Sequence, residues 1–215
     1  YVRSSFIMNQ ERIYIEKHGD KESYAGVCED YNLGMTLIFF LTNISDYTNT
    51  KWMNYSNHLI TKAYMSGLST SGKVILDIEQ LPPANREHKC SSVNRNKLIE
   101  AARQGDRSAM ESLTLDDMDI YTQVSRRAHY EDILSIVETN FMPYGIETEH
   151  YSIIGNILDC SLCENDYTKE PVYLLNVETN EMLMAIAINE KDLLGTPAPG
   201  RRFKGEIWLQ GNVIF

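Results

Sequence analysis

Val172-Tyr-Leu-Leu-Asn-Val-Glu-Thr-Asn-Glu-Met-Leu-Met-Ala-Ile-Ala-Ile188 is the stretch on which the fold of this chain turns. It predicts a strand over Val172 to Thr179, a tight turn at Asn180, and a second strand over Met182 to Ile188. In that second strand Met182, Met184, Ile186 and Ile188 alternate with Leu183, Ala185 and Ala187, the two-residue period of a pleated strand. Upstream, Tyr151 to Cys160 reads as another strand, with Gly155 where a barrel strand would bend. Downstream, a short helix over Glu190 to Leu194 closes on Gly195, and Pro197-Ala-Pro-Gly200 turns into a fourth strand, Arg202 to Leu209. Gln210-Gly-Asn212 precedes a fifth strand, Val213 to Phe215. Three strands, a helix and two strands is the order of an OB-like barrel, so residues 149–215 are expected to close as one.

Residues 1–81 read as an antiparallel sheet. Ile13-Tyr-Ile15 leads through a polar turn at His18-Gly-Asp-Lys21 to a strand around Tyr24 to Cys28. Gly34 precedes a buried strand, Thr36 to Leu41, and a helix is expected in Ser45 to Asn57. Ser69-Thr-Ser-Gly72 has the composition of a hairpin turn between two strands, the second being Lys73 to Ile78. Pro82-Pro83 opens a polar linker over residues 82–95. Residues 96–148 are expected to form a helical region, with Gly105 ending one helix and Asp106 capping the next, and with Asp132 to Phe141 readable as helix or strand before Pro143-Tyr-Gly145 ends it. Thr114 and Asp117 resemble the start of a further helix. The class expected is α+β: amino-terminal antiparallel sheet, central helical region, carboxy-terminal five-stranded OB-like β-barrel.

Composition sets the outer bounds. Hydrophobic content of 43% and charged content of 23% are those of a chain that buries a core. Runs such as Leu37 to Leu41 and Met182 to Ile188 are too short to span a bilayer as helices. The formal charge is −10, evenly spread, with a net −5 inside residues 149–215. Such a surface counts against nucleic acid and anionic membranes as partners, since both call for clustered Lys and Arg. The four cysteines, Cys28, Cys90, Cys160 and Cys163, are too scattered for a disulfide framework. Without an export signal, this points to a reducing cytoplasm, and the sequons at Asn43 and Asn54 are then chance matches. Because the chain starts at Tyr1 with residues that already read as strand, the sequence is also expected to be a fragment.

Further stretches carry a resemblance: Lys21-Glu-Ser-Tyr-Ala-Gly-Val-Cys28, Leu98-Ile-Glu-Ala-Ala-Arg103 with Gly105-Asp106, Glu111-Ser-Leu-Thr-Leu-Asp-Asp117, Met142-Pro-Tyr-Gly145 and Gly200-Arg-Arg-Phe-Lys-Gly-Glu-Ile-Trp-Leu-Gln-Gly211. On these the chain resembles, along nearly its whole length, a clostridial family classed as a domain of unknown function. Members of that family carry an additional amino-terminal segment. The resemblance implies no activity and supplies no catalytic residue.

Candidate sites follow from the residues themselves. Cys160-Ser-Leu-Cys163 offers half the ligands of a structural zinc, which His150, Cys90 or Cys28 would have to complete. Asp116, Asp117, Asp119 and Glu111 read better as acidic residues drawn to a helix start than as a metal site. Cys28 and His18 sit on neighbouring strands but lack the oxyanion donors of a nucleophilic site. Arg126-Arg127 reads as capping at a helix carboxyl end. The sharpest feature is the fourth barrel strand. Phe203, Gly205, Ile207 and Leu209 fall on one face, leaving Arg202, Lys204, Glu206 and Trp208 on the other. Arg202, Lys204 and Trp208 are therefore the expected ligand-binding residues, with no catalytic residue, metal or cofactor assigned. The function expected is a non-enzymatic cytoplasmic binding or adaptor protein that engages a protein or a small polar ligand. A nucleic-acid-associated barrel, or a metal-dependent enzyme around Cys160 and Cys163, stand as alternatives.

Overall fold

In the computed structural model the chain is mostly β. The structure describes residues 2, 4–10, 12–19, 22–30, 33–52, 60–76, 97–98, 101–102, 104–127, 129, 133–146 and 148–214. Two compact units emerge: residues 1–77 together with 139–215, and residues 78–138.

Among the described residues the first unit is built on one eleven-stranded sheet. Its strands are β1 (Ile7–Asn9), β2 (Tyr14–Lys17), β3 (Tyr24–Asp30), β4 (Met35–Leu41), β5 (Lys62–Ile75), β6 (Asn140–Pro143), β7 (His150–Glu164), β8 (Pro171–Thr179), β9 (Met182–Asn189), β10 (Leu193–Leu194) and β11 (Arg202–Ile214). Five of them close a ring. β7, β8 and β9 form an antiparallel meander, β11 pairs antiparallel with β7, and β5 closes the circuit. β5 runs antiparallel to β11 and parallel to β9. The barrel predicted at the carboxyl end is present, but its fifth strand comes from the amino-terminal region.

This corrects two expectations. Val213 is not the start of a separate strand, because β11 runs unbroken from Arg202 to Ile214. Ser69 to Gly72 is not a hairpin turn either, because β5 continues through it. The register against β11 jumps there, Glu206 facing Ser71 and Ile207 facing Ser69, so Thr70 is an extra, bulged residue. The Ser69 hydroxyl donates to Glu206 O at 2.7 Å and Ser71 O at 3.0 Å, holding the irregularity in place. Turn-type residues here serve a bulge. Gly72 is needed for a different reason: a Cβ would lie 2.5 Å from the Phe203 ring.

The interior follows the alternation read from sequence. Met184, Ile186 and Ile188 of β9, Leu175 and Val177 of β8, Ile153 and Ile157 of β7, and Phe203, Ile207 and Leu209 of β11 are all buried. The β8–β9 turn has Asn180 and Glu181 at φ +47° and +66°, the paired positive angles of a tight hairpin. Gly155 lies inside β7, where a Cβ would stand 2.5 Å from Val177 and 2.7 Å from the Glu178 carbonyl. The β7–β8 register slips at Leu158, an extra residue of the kind that increases local strand twist.

β4, β3 and β2 extend the sheet beyond the ring, because β11 leaves β7 after Trp208 and pairs with β4 at Gln210 and Gly211. Phe39 is fully buried beneath this junction, over Gly26 and Gly211, either of which would clash with its ring if it carried a Cβ. The helix Ile44–Trp52 follows β4, shorter than the expected stretch to Asn57, whose remainder lies outside the described residues. The expected linker over residues 82–95 also lies outside them.

A continuous central helical region over residues 96–148 does not form. Lys97, Leu98, Ala101 and Ala102 are helical, and Gly105 ends that turn at φ +91° with its N–H on Ala102 O. The Asp106 carboxylate then accepts from Ser108 N and Ala109 N, the predicted cap. From there one helix runs Arg107–Arg127, without the expected restart at Thr114, whose hydroxyl bonds Met110 O inside the helix. Met110, Leu115, Met118 and Tyr121 are exposed. The short helix Ile133–Ile136 leads to Asn140–Pro143, which is strand because β7 offers an unpaired edge there.

Candidate binding face

The outward face of β11 starts from an alternation that holds. Phe203, Ile207 and Leu209 are buried inside the barrel, so Lys204, Glu206 and Trp208 project outward and each remains partly exposed. Arg202 does not join them. It is 3% exposed, and its Nε and Nη2 donate to Leu76 O at 3.1 and 3.0 Å. A guanidinium held this way ties the start of β11 to the end of β5.

Register adds residues that single-strand reasoning cannot see. Trp208 lies beside His150 of β7, Glu206 beside Ser152, and Lys204 beside Ile154. β6 then brings Met142 next to Ser152, and both Met142 and Tyr144 are exposed. Glu206 hydrogen-bonds the Tyr144 hydroxyl, which pushes the phenol pKa upward, first through that bond and then through the carboxylate charge. Trp208 packs on Phe40 of β4, ring centroids 4.9 Å apart and planes tilted by 53°. On the other flank Lys204 stands directly opposite Lys73 of β5. The face thus holds two lysines at one end and aromatic and thioether side chains at the other. Only pairing across β4, β5, β6, β7 and β11 assembles it.

The remaining sequence candidates separate. Cys28 is buried, and desolvation, followed by the nearby Asp30 charge, pushes its thiol pKa up to about 12. A thiol so protonated is no nucleophile, which removes the Cys28–His18 pair. His18 is engaged elsewhere: its Nε2 lies 2.6 Å from Glu149 Oε1, and its Nδ1 lies 3.0 Å from Ser23 Oγ. Cys160 and Cys163 are three residues apart on β7 and so face opposite sides. The Cys160 thiol is directed to Pro197 O and the Cys163 thiol to Val172 O. Asp116, Asp117 and Asp119 fall in the middle of the Arg107–Arg127 helix, so attraction to a helix start does not explain them. Among the described residues no group of three His, Cys, Asp or Glu side chains is arranged to hold a metal ion. Cys90 lies outside those residues. Arg126 and Arg127 do end their helix, where cations favour the dipole. Among the described residues no helix is long and apolar enough to cross a membrane.

No curated protein and no solved structure matches the chain. Residues 1–211 match the family described as "Domain of unknown function, E. rectale Gene description (DUF3881)", and the chain belongs to that family.

Proposed function

We propose that the protein is a cytoplasmic binding protein whose barrel engages a protein partner through the outward face of β11, without chemistry of its own at that face. The observation that carries this reading is the composition of the assembled face. Trp208 on Phe40, with exposed Tyr144 and Met142 nearby, supplies the aromatic and thioether groups enriched at interface centres. Lys204 and Lys73, opposite each other and without an ion-pair partner among the described residues, repel until an anion joins them. The partner segment that fits presents an apolar side chain toward Trp208 and an acidic one toward the lysines.

The barrel itself reads as OB-like with one strand supplied out of order. In that fold a three-strand meander is closed by a fourth strand antiparallel to the first and a fifth parallel to the third. Taking β7, β8, β9, β11 and β5 as strands one to five reproduces each of those pairings. The fifth strand precedes the others in sequence, which makes this a circular permutation of the OB order.

The test is a pull-down of the full chain from its own cell lysate, with and without nuclease, beside the Trp208→Ala and Lys204→Ala variants. The expected result is a stoichiometric protein partner that survives nuclease and binds at least about tenfold more weakly to Trp208→Ala. Capture that disappears with nuclease would instead favour a nucleic-acid-associated barrel. A partner indifferent to both substitutions would place binding on another surface.

A further inference from the structure

We propose that Ser23, His18 and Glu149 form an acyl-transfer site, separate from the β11 face, in which Ser23 is the nucleophile and the substrate is a carboxylic ester. The three residues come from the β2–β3 turn and the entry to β7, and the His18–Glu149 contact joins positions 131 apart in sequence. Glu149 Oε1 lies 2.6 Å from His18 Nε2, and Ser23 Oγ lies 3.0 Å from His18 Nδ1. A carboxylate only accepts, so in the neutral imidazole the proton sits on Nε2 and points at Glu149. Nδ1 is left with its lone pair directed at the serine hydroxyl. Nucleophile, base and a group that orients the base, each within hydrogen-bond reach of the next, form the arrangement that activates a serine.

The backbone holds this arrangement. His18 N donates to Ser23 O at 3.0 Å, which closes the turn and fixes the serine beside the imidazole. Leu209 N donates to Glu149 O at 2.8 Å, anchoring the carboxylate-bearing residue to β11. Exposure is graded in the useful direction: the Glu149 side chain is 12% exposed and that of His18 28%, with Ser23 half-buried. The orienting carboxylate is shielded while the base and hydroxyl remain reachable.

The chemistry balances without a cofactor. Ser23 Oγ bonds to the ester carbonyl carbon as its proton passes to His18 Nδ1, and Glu149 stabilises the imidazolium through Nε2–H. The tetrahedral intermediate collapses, its C–O bond to the alcohol breaks, and the leaving oxygen takes the proton from Nδ1. Water then repeats the sequence on the acyl-serine, with His18 again accepting and returning the proton, and the carboxylic acid departs.

The deciding experiment treats the full-length chain with a fluorophosphonate probe and with p-nitrophenyl acetate, and reads adducts by intact mass and peptide mapping. One adduct is expected, on Ser23 and absent from Ser23→Ala. Its rate of formation should fall at least about a hundredfold in His18→Gln and fall also in Glu149→Gln. A hydrogen-bonded turn without catalytic competence would leave Ser23 of the unmutated protein unlabelled beyond its other serines. That result, or equal labelling rates in His18→Gln, overturns the proposal, and because the first readout uses the unmutated protein it does not depend on any variant folding.

Discussion

Among single residues, Cys28 gives the clearest linkage between burial and pH. Its thiol is 2% exposed, with a pKa raised from an ordinary 9.0 to about 12. Folding therefore favours the protonated thiol. Below pH 9 both states hold the proton and the stabilisation is fully present. As pH rises through the interval to about 12 the unfolded chain loses that proton first, and stability falls. Thermal unfolding at pH 8 and pH 10.5 should show a smaller alkaline loss in Cys28→Ala than in the unmodified chain. Equal losses would mean that the thiol does not couple to folding. Arg202 teaches the complementary lesson. A cation on the expected outer stripe was readable from sequence, but its capture by the Leu76 carbonyl depends on β5 lying alongside.

Elements here are shaped by close approach. Gly155 is the sharpest case, since the group 2.7 Å from its hypothetical Cβ is the Glu178 carbonyl, a backbone atom that cannot step aside. Gly155→Ala should cost roughly 1–3 kcal/mol through forced overpacking. Urea unfolding measures this as a lower midpoint at unchanged slope, and an unchanged midpoint would show that β7 and β8 part without strain. The alternation of β9 and of Phe203 to Leu209 was visible in sequence because strand period is a local property. The bulge at Thr70 was not, since a bulge exists only relative to a partner strand. Ser, Thr and Gly at that point are equally the residues of a turn, and local composition favours the turn.

For the whole molecule, the barrel is built from both ends of the chain. Residues 139–215 contain four of its five strands, and Lys62–Ile75 supplies the fifth. Without β5, β11 and β9 would each expose an open edge and the interior would lose Ala63 and Met65. Residues 139–215 expressed alone should therefore give the poorly dispersed amide spectrum of an unfolded chain. Residues 1–77 supplied together with them should restore dispersion and elute as one complex. A folded barrel from 139–215 alone would show that β5 is dispensable. The same dependence explains the candidate face, whose Lys204 and Trp208 were legible on β11 while Lys73, Phe40, Met142 and Tyr144 arrive from other strands.

The sequence by itself determined β3, β4, β7, β8 and β9 as strands, the alternation of β9 and of Phe203 to Leu209, the tight turn at Asn180, the helix stop at Gly105 with its cap at Asp106, and the order of four barrel strands. Each of these rests on periodicity or on the conformational preference of one or two neighbouring residues. Only the tertiary structure decided which strand closes the ring, that Arg202 is buried, that Glu149 meets His18, and that the binding face draws on five strands. Those are contacts between positions tens to more than a hundred residues apart. They are set by hydrogen-bonding edges and apolar faces competing across the whole chain, and no local pattern encodes the winner.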